Sequence, residues 1–205
     1  MRPARLALLA AAGIALGASF AVLAGVLGQA AAPPQARGLV SSTGTADIGG
    51  PFSLVDESGA RVSEADLTGR PTALFFGFTW CPDVCPTTLF EVTSLMERLG
   101  PDADRMNFVM VTVDPERDTP EILNEYLSAF DARLRGFTGT PQEVAAMTDA
   151  YRVQVERVAT ENGYTMNHTT SVFLMDAENA FAGTITYHED PETALAKLRR
   201  LIDAA

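Results

Sequence analysis

The sequence predicts an α/β fold in which helices flank a central mixed β-sheet. Two observations carry this prediction. Apolar runs typical of buried strands alternate with segments of helical periodicity, and two strand-like runs joined by a tight turn precede the last helix. A long apolar stretch near the N-terminus adds one transmembrane helix to the prediction. The 205 residues suffice for a single domain with such a tail.

The N-terminal stretch is long enough to cross a bilayer. Residues 6–28 hold no charged side chain, and a helix of that length exceeds the roughly 30 Å of the hydrocarbon core. Arg2 and Arg5 precede the stretch, and the next basic residue is Arg37. The positive-inside rule therefore places residues 1–5 in the cytoplasm and the rest of the chain across the membrane.

A cleavable signal peptide is the competing interpretation, because the alanines at residues 30–32 resemble a processing site. The apolar core of a signal peptide is usually only about 7 to 15 residues long, so we expect an uncleaved anchor. Residues 29–47 are rich in Ala, Pro, Gly, Ser and Thr, which predicts a flexible linker. The folded domain is expected to span residues 48–205.

The charge of the chain excludes one class of function. The first 37 residues contain three of the 15 Lys and Arg residues and none of the 26 Asp and Glu residues, so the other 168 residues carry a net charge of −14. A domain this acidic is a poor binder of nucleic acid and of anionic lipid. It suits a basic protein partner.

The domain is expected to open with a hairpin, in which residues 52–55 and 60–62 flank a turn at residues 56–59. The nearly continuous apolar run at residues 72–78 is typical of a strand covered on both faces. Apolar residues at helical spacing follow, which predicts a helix over residues 85–99.

The alternation continues through the middle of the chain. A second buried strand is predicted at residues 108–113, and residues 118–121 then supply a cap, a first-turn proline and an acid. The helix that they open covers residues 122–130. A short strand at residues 134–138 and a helix from residue 140 to about 151 repeat the pattern, which predicts parallel strands.

The last third of the chain changes character. Strands are predicted at residues 152–158, 171–176 and 181–187, the last two as an antiparallel hairpin. Pro191 opens a closing amphipathic helix at residues 192–202. This order of elements, with two cysteines where the first helix begins, predicts a thioredoxin-like fold.

Cys81 and Cys85 lie in the segment TWCPDVCP at the junction of a buried strand and a helix. The N–H groups and positive partial charge of a helix N-terminus favour a thiolate, as a nucleophile or as a metal ligand. A structural disulfide is one alternative, but a bond that closes so small a loop stabilises the fold little. We therefore expect this pair to react, as a redox-active dithiol that can form a disulfide, or to bind.

Disulfide exchange in the thioredoxin superfamily normally uses C-x-x-C opposite a cis-proline, whereas this chain has C-x-x-x-C and no proline between Pro141 and Pro191. At the corresponding place, ahead of a predicted strand, stands His168. Two thiolates and an imidazole suit Cu(I) and tolerate Cu(II), while a closed zinc site would need a fourth ligand. A lone histidine is more often structural, so both interpretations of His168 remain open here. His188, beside two acids, is interpreted as a surface residue.

Three ordered motifs resemble the Sco/SenC family of membrane-anchored, thioredoxin-like copper-binding proteins. They are FGFTWCPDVCP at residues 76–86, VDPERDTP at residues 113–120 and NHTTSVFLMD at residues 167–176. The resemblance extends over about residues 48–203. It implies one bound copper ion, as Cu(I) or Cu(II), with Cys81, Cys85 and His168 as its ligands.

The resemblance also implies a cellular location and partners. Family members help metallate the CuA site of cytochrome c oxidase subunit II, or reduce the cysteine pair of that apo-site. The expected location is the bacterial inner membrane, with the domain in the periplasm and an upstream periplasmic copper donor. Three functions remain open: a copper chaperone, a thiol–disulfide reductase, and a peroxidase or redox sensor.

The motifs depart from the family's pattern at two positions. Trp80 precedes the first cysteine at a variable position, and Asn167 precedes the histidine where an aspartate is common. An amide orients an imidazole less strongly than a carboxylate does, so metal affinity is expected to differ. Asp114 is interpreted as a turn residue that could alternatively lie near the metal, and Arg117 with Asp118 as a structural pair or cap.

Overall fold

A computed structural model of the protein describes residues 47–205. The predicted membrane segment and nearly all of the predicted linker lie outside these residues. Within the part that is described, no helix combines the length and the apolar character needed to span a membrane.

The described chain folds into strands and helices in the alternating order that the sequence predicts. The strands are β1 (Ser53–Asp56), β2 (Arg61–Ser63), β3 (Thr72–Gly77), β4 (Asn107–Thr112), β5 (Leu134–Thr138), β6 (Val155–Thr160), β7 (Gly163–His168), β8 (Val172–Met175) and β9 (Phe181–Ile185). The α-helices are α1 (Val84–Leu99), α2 (Pro120–Leu127), α3 (Pro141–Ala150) and α4 (Pro191–Ala204). Short 3-10 helices occupy Glu64–Asp66 and Gly100–Arg105.

Seven of the strands form one mixed sheet in the order β2-β1-β5-β4-β3-β8-β9. Strands β3, β4 and β5 are parallel. The predicted N-terminal hairpin, β1 with β2, is antiparallel and joins the sheet along β5. At the other side β8 runs antiparallel to β3 and β9. This is the predicted thioredoxin-like arrangement.

The two central strands are buried along their whole length, because helices cover the sheet. Their parallel register pairs Thr72 with Asn107 and Gly77 with Thr112. The carboxyl ends of β3 and β4 therefore lie side by side, and the loops that follow both strands meet at one edge of the sheet. The cysteines follow β3, and the VDPERDTP segment follows β4.

The region of β6 and β7 differs from the sequence-based expectation. The strand predicted at residues 152–158 begins and ends later, at β6, and its partner β7 was not predicted at all. The two strands form a separate antiparallel sheet that pairs Val155 with His168 and Thr160 with Gly163. Strand β7 has the sequence GYTMNH and no buried residue, so it lacks the apolar pattern by which a strand is recognised.

Candidate metal centre

The loop from β3 to α1 presents both cysteines at the start of the helix. Cys85 lies in the first turn of α1 and is fully buried, whereas Cys81 lies in the loop and is partly exposed. Both are free thiols, and the backbone N–H of Cys85 points to Cys81 Sγ at 3.4 Å. Contact with a helix N–H stabilises negative charge on the Cys81 sulfur.

Gly77, the last residue of β3, makes room for the Cys85 thiol. A Cβ atom at this position would lie 3.2 Å from Cys85 Sγ and 2.6 Å from Cε1 of Phe75. Phe75 is itself buried in the core, so neither neighbour can move away easily. The glycine is thus required by the close approach of the thiol to the strand.

His168 reaches the cysteines from the end of β7. Its Nε2 lies 3.4 Å from Cys85 Sγ, and its Nδ1 lies 2.8 Å from the carbonyl oxygen of Thr169. A carbonyl oxygen can only accept a hydrogen bond, so Nδ1 carries the proton and Nε2 can accept a hydrogen bond from the Cys85 thiol. The rings of Phe75 and Phe78 pack edge-on against the imidazole.

Burial determines the protonation states of Cys85 and His168. It raises the pKa of the Cys85 thiol far above its ordinary value, although a hydrogen bond with the backbone of Phe78 acts in the opposite direction. Burial also lowers the pKa of His168, against a smaller opposing effect of its bond with Thr169. At neutral pH the pair is therefore a thiol and a neutral imidazole. A metal ion that binds here must displace the thiol proton.

The structure brings all three predicted ligands into one chain of contacts, with Cys85 in the middle. Within residues 47–205, however, no three His, Cys, Asp or Glu side chains already converge as a closed set of metal ligands. The donor chemistry fits a soft ion, since two sulfurs and one imidazole nitrogen are ligands that Cu(I) accepts. The agreement of this site with a copper ion therefore rests on the chemistry of its donor atoms and on the contact between Cys85 and His168.

Asp118 holds the loop that precedes the cysteines. Its buried carboxylate accepts hydrogen bonds from the Thr79 N–H at 3.0 Å, the Thr79 hydroxyl at 2.6 Å and the Thr112 hydroxyl at 2.7 Å. Burial nevertheless raises the pKa of this carboxyl. The predicted pairing with Arg117 is wrong, because Asp118 is turned inward, and Thr119 instead caps α2. Thr79 lies in the loop after β3 and Thr112 ends β4, so sequence spacing could not reveal these partners.

Asp114 is buried, but its carboxylate binds groups other than the cysteines. It forms a salt bridge with Arg117 and accepts a hydrogen bond from the Tyr164 hydroxyl at 2.9 Å. The Arg117 guanidinium also lies 5.5 Å from the ring of Trp80, which is 67% exposed beside Cys81. Asp114 is therefore more than a turn residue, since it joins the loop after β4 to β7.

The remaining predicted residues lie at the surface. Asn167 is exposed and points to Glu156 at 3.5 Å. The orientation of the imidazole thus comes from a backbone carbonyl instead of residue 167. His188 is exposed and pairs with Glu91 at 2.7 Å, which confirms its interpretation as a surface residue.

A thioredoxin-like sheet, two thiols at a helix start and a histidine brought in by a hairpin define a class of thiol and imidazole metal-binding proteins. Within that class the chain belongs to the SCO1/SenC family, whose model matches residues 40–203.

Curated relatives and a solved structure agree with this assignment. The chain is 39% identical over 142 residues to "Protein SCO1 homolog 1, mitochondrial" of Arabidopsis thaliana, a match that covers 68% of this chain and 42% of that protein. It is 31% identical over 165 residues to "Protein SenC" of Rhodobacter capsulatus, covering 80% of this chain and 75% of the relative. The chain thus spans less than half the length of the Arabidopsis relative.

The solved structure is described as "Structure of Bradyrhizobium japonicum ScoI with copper bound". It is similar to this protein with a TM-score of 0.71 and 46% identity, and the match covers 75% of this chain and 99% of the ScoI chain.

Proposed function

We propose that this protein is a membrane-anchored copper chaperone that assists metallation of the CuA site of cytochrome c oxidase subunit II. In this proposal one copper ion is held by Cys81, Cys85 and His168. The observation that carries the proposal is the 3.4 Å contact between Cys85 Sγ and the unprotonated Nε2 of His168. Family membership and the copper in the Bradyrhizobium ScoI structure support it.

The ligand arrangement suits delivery of the ion as well as binding. Cys85 is fully buried, whereas Cys81 and His168 are each partly exposed, Cys81 in the loop and His168 at the end of β7. A thiol of an acceptor protein can approach from the side of Cys81 and replace the protein's ligands one at a time. Copper supplies a soft acceptor for these thiolates, and the transfer changes neither its oxidation state nor that of the cysteines.

The location and partners follow from the same proposal. Residues 6–28 anchor the protein in the inner membrane with a single pass, residues 29–47 form the linker, and the domain lies in the periplasm, where an upstream donor loads it. The acidic domain, with a net charge of −14 after residue 37, favours an acceptor with a basic docking face.

A thiol–disulfide reductase is the second candidate, and the unequal exposure of the two cysteines favours it. Cys81, the accessible thiol, would attack a disulfide of the acceptor, and buried Cys85 would then resolve the mixed disulfide. The acceptor gains two thiols while the protein gains one disulfide, so the electrons balance. This reaction needs both cysteines but not His168.

A transfer experiment separates the two functions. The acceptor is a subunit II CuA domain without metal, prepared with its cysteines either reduced or joined as a disulfide. We expect the copper-loaded protein to metallate the reduced acceptor, and His168→Ala to abolish that transfer. His188→Ala, which alters the chain's only other histidine, should transfer like the wild type.

The opposite result would assign the second function. If the metal-free dithiol protein reduced the oxidised acceptor at the same rate with and without His168, and the loaded protein transferred no copper to the reduced acceptor, the chaperone proposal would be wrong.

A further inference from the structure

The hairpin of β6 and β7 carries His168 but is not part of the main sheet. Its strands pair only with each other among the described strands, and their residues are exposed or half-buried. A two-stranded hairpin on its own is at best marginally stable in water. Contacts with the rest of the domain must therefore hold it, and His168 with it, in place.

A cleft of about 370 Å³ lies between the hairpin and the domain. Its lining includes Val144 of α3, Met166 and Arg157 of the hairpin, and Asp114 and Glu116 from the loop after β4. The cleft interrupts close packing between the hairpin and α3, so the polar contacts at its edge help to hold the hairpin, together with the packing of Met166 against the core.

Those contacts converge on Tyr164 of β7. Its hydroxyl donates to Asp114 at 2.9 Å, and its backbone carbonyl accepts from Arg117 Nη1 at 3.2 Å. The Arg117 guanidinium carbon also lies 3.8 Å from the centroid of the tyrosine ring. One residue of the hairpin is thus joined by its hydroxyl, its ring and its carbonyl to a loop of the domain.

The charged partners of Tyr164 are themselves fixed. Arg117 forms a salt bridge with Asp114, which is buried. On the hairpin side, the Arg157 guanidinium carbon lies 3.5 Å from the centroid of the Tyr164 ring, and Arg157 pairs with Glu116 at 2.9 Å. Both arginines that contact the ring are therefore tied to acids of the same loop.

The geometry of β7 connects this cluster to the candidate metal centre. Tyr164 and His168 are four residues apart, so their side chains share one face of the strand. The distance between them along the strand is about 13 Å. A change in the tilt of the hairpin at Tyr164 therefore moves the imidazole, whereas metal–ligand distances tolerate only about 0.2 Å.

We propose that Tyr164 is a positioning residue, which holds the β6–β7 hairpin against Asp114 and Arg117 so that His168 faces Cys85. The inference rests on the proposed function insofar as it assigns Tyr164 an effect on copper binding. Tyr164 touches none of the three proposed ligands and acts only through the strand that carries one of them.

The test uses the full-length reduced chain with Tyr164→Ala, Tyr164→Phe and a control, Thr165→Ala, which truncates the neighbouring side chain on the opposite face of β7. Hydrogen exchange is measured first, without metal. We expect the amides of β7 to exchange faster in Tyr164→Ala and at the wild-type rate in Thr165→Ala. Unchanged exchange in Tyr164→Ala would overturn the proposal.

Cu(I) affinity is measured second, by competition with a chromophoric chelator. Loss of a residue that orients a metal ligand typically costs 10- to 100-fold in affinity, so we expect about a tenfold loss or more for Tyr164→Ala. Tyr164→Phe keeps the ring contacts and should lose less. In a His168→Ala background, Tyr164→Ala should cause no additional loss, because the residue acts only through the histidine.

An equal loss with and without His168 would show a general structural effect and refute the positioning role. If the wild-type chain bound no copper, the proposed function would fail, while the hydrogen-exchange result would still confirm or refute the attachment of the hairpin through Tyr164.

Discussion

Gly77→Ala tests whether the close packing under the Cys85 thiol is essential. The added Cβ would lie 2.6 Å from Phe75 Cε1 and 3.2 Å from Cys85 Sγ, whereas carbon atoms in contact prefer about 3.5 to 4.0 Å. The Phe75 ring must therefore shift by about 1 Å in a core where it is only 2% exposed. Overpacking of this kind costs about 1 to 3 kcal/mol, and the lower entropy of the unfolded alanine chain offsets about 0.4 to 1 kcal/mol of that.

The expected net effect is a loss of about 1.3 kcal/mol in the free energy of unfolding, within a range of about 0 to 2.6 kcal/mol, measured by urea denaturation of the reduced protein. Copper affinity should fall as well, because Phe75 packs against the ring of His168 and Cys85 is itself a proposed ligand. Gly136→Ala is the matched control, because Gly136 lies on β5 and its added Cβ would also be too close to a buried side chain, at 2.7 Å from Leu127 Cδ1. It should lower stability without altering copper affinity. Wild-type stability and copper affinity in Gly77→Ala would refute the reasoning.

Three further predictions concern the buried acid, the buried thiol and the acidic surface. Asp118→Asn should cost about 1 to 3 kcal/mol in urea denaturation, because the amide cannot accept all three hydrogen bonds from Thr79 and Thr112; unchanged stability would contradict this. The pKa of Cys85 is raised above its ordinary value of 9.0, so above pH 9 the unfolded chain releases a proton that the folded chain keeps. The metal-free protein should then lose up to about 1.4 kcal/mol of stability per pH unit relative to Cys85→Ala, and parallel pH profiles of the two proteins would show that the thiol is not shielded. Association with a subunit II domain should weaken as salt is added, because residues 38–205 of this protein carry a net charge of −14. Binding that is independent of salt would count against a basic docking face on the partner.

Much of the fold could be predicted from the sequence, because its central elements have strong local patterns. The apolar run of β3 is buried at every position, and the caps at Thr119 and Thr140 fix where α2 and α3 begin. The β6–β7 hairpin was predicted only in part, as a strand at residues 152–158, and β7 escaped prediction because its residues are mostly polar and none is buried. Its position depends on contacts between residues far apart in the chain, which periodicity does not encode.

The candidate site, too, could be predicted from the sequence only in part. The spacing of Cys81 and Cys85 and their place at a helix start predicted reactive or ligating thiols, and the resemblance to the Sco/SenC family indicated His168. The supporting residues could not be assigned from spacing. Asp118 binds residues that belong to two other segments, and Asp114 bonds with Tyr164, 50 residues later in the chain.

The most direct test of the proposed copper site is anaerobic titration of the reduced protein with Cu(I), in competition with a chromophoric chelator. The wild type should bind one equivalent tightly. Binding should be lost when Cys81 and Cys85 are both changed to Ser, and should be weaker in His168→Ala but not in His188→Ala. Equal binding by the wild type and these variants would contradict a site made of two cysteines and a histidine.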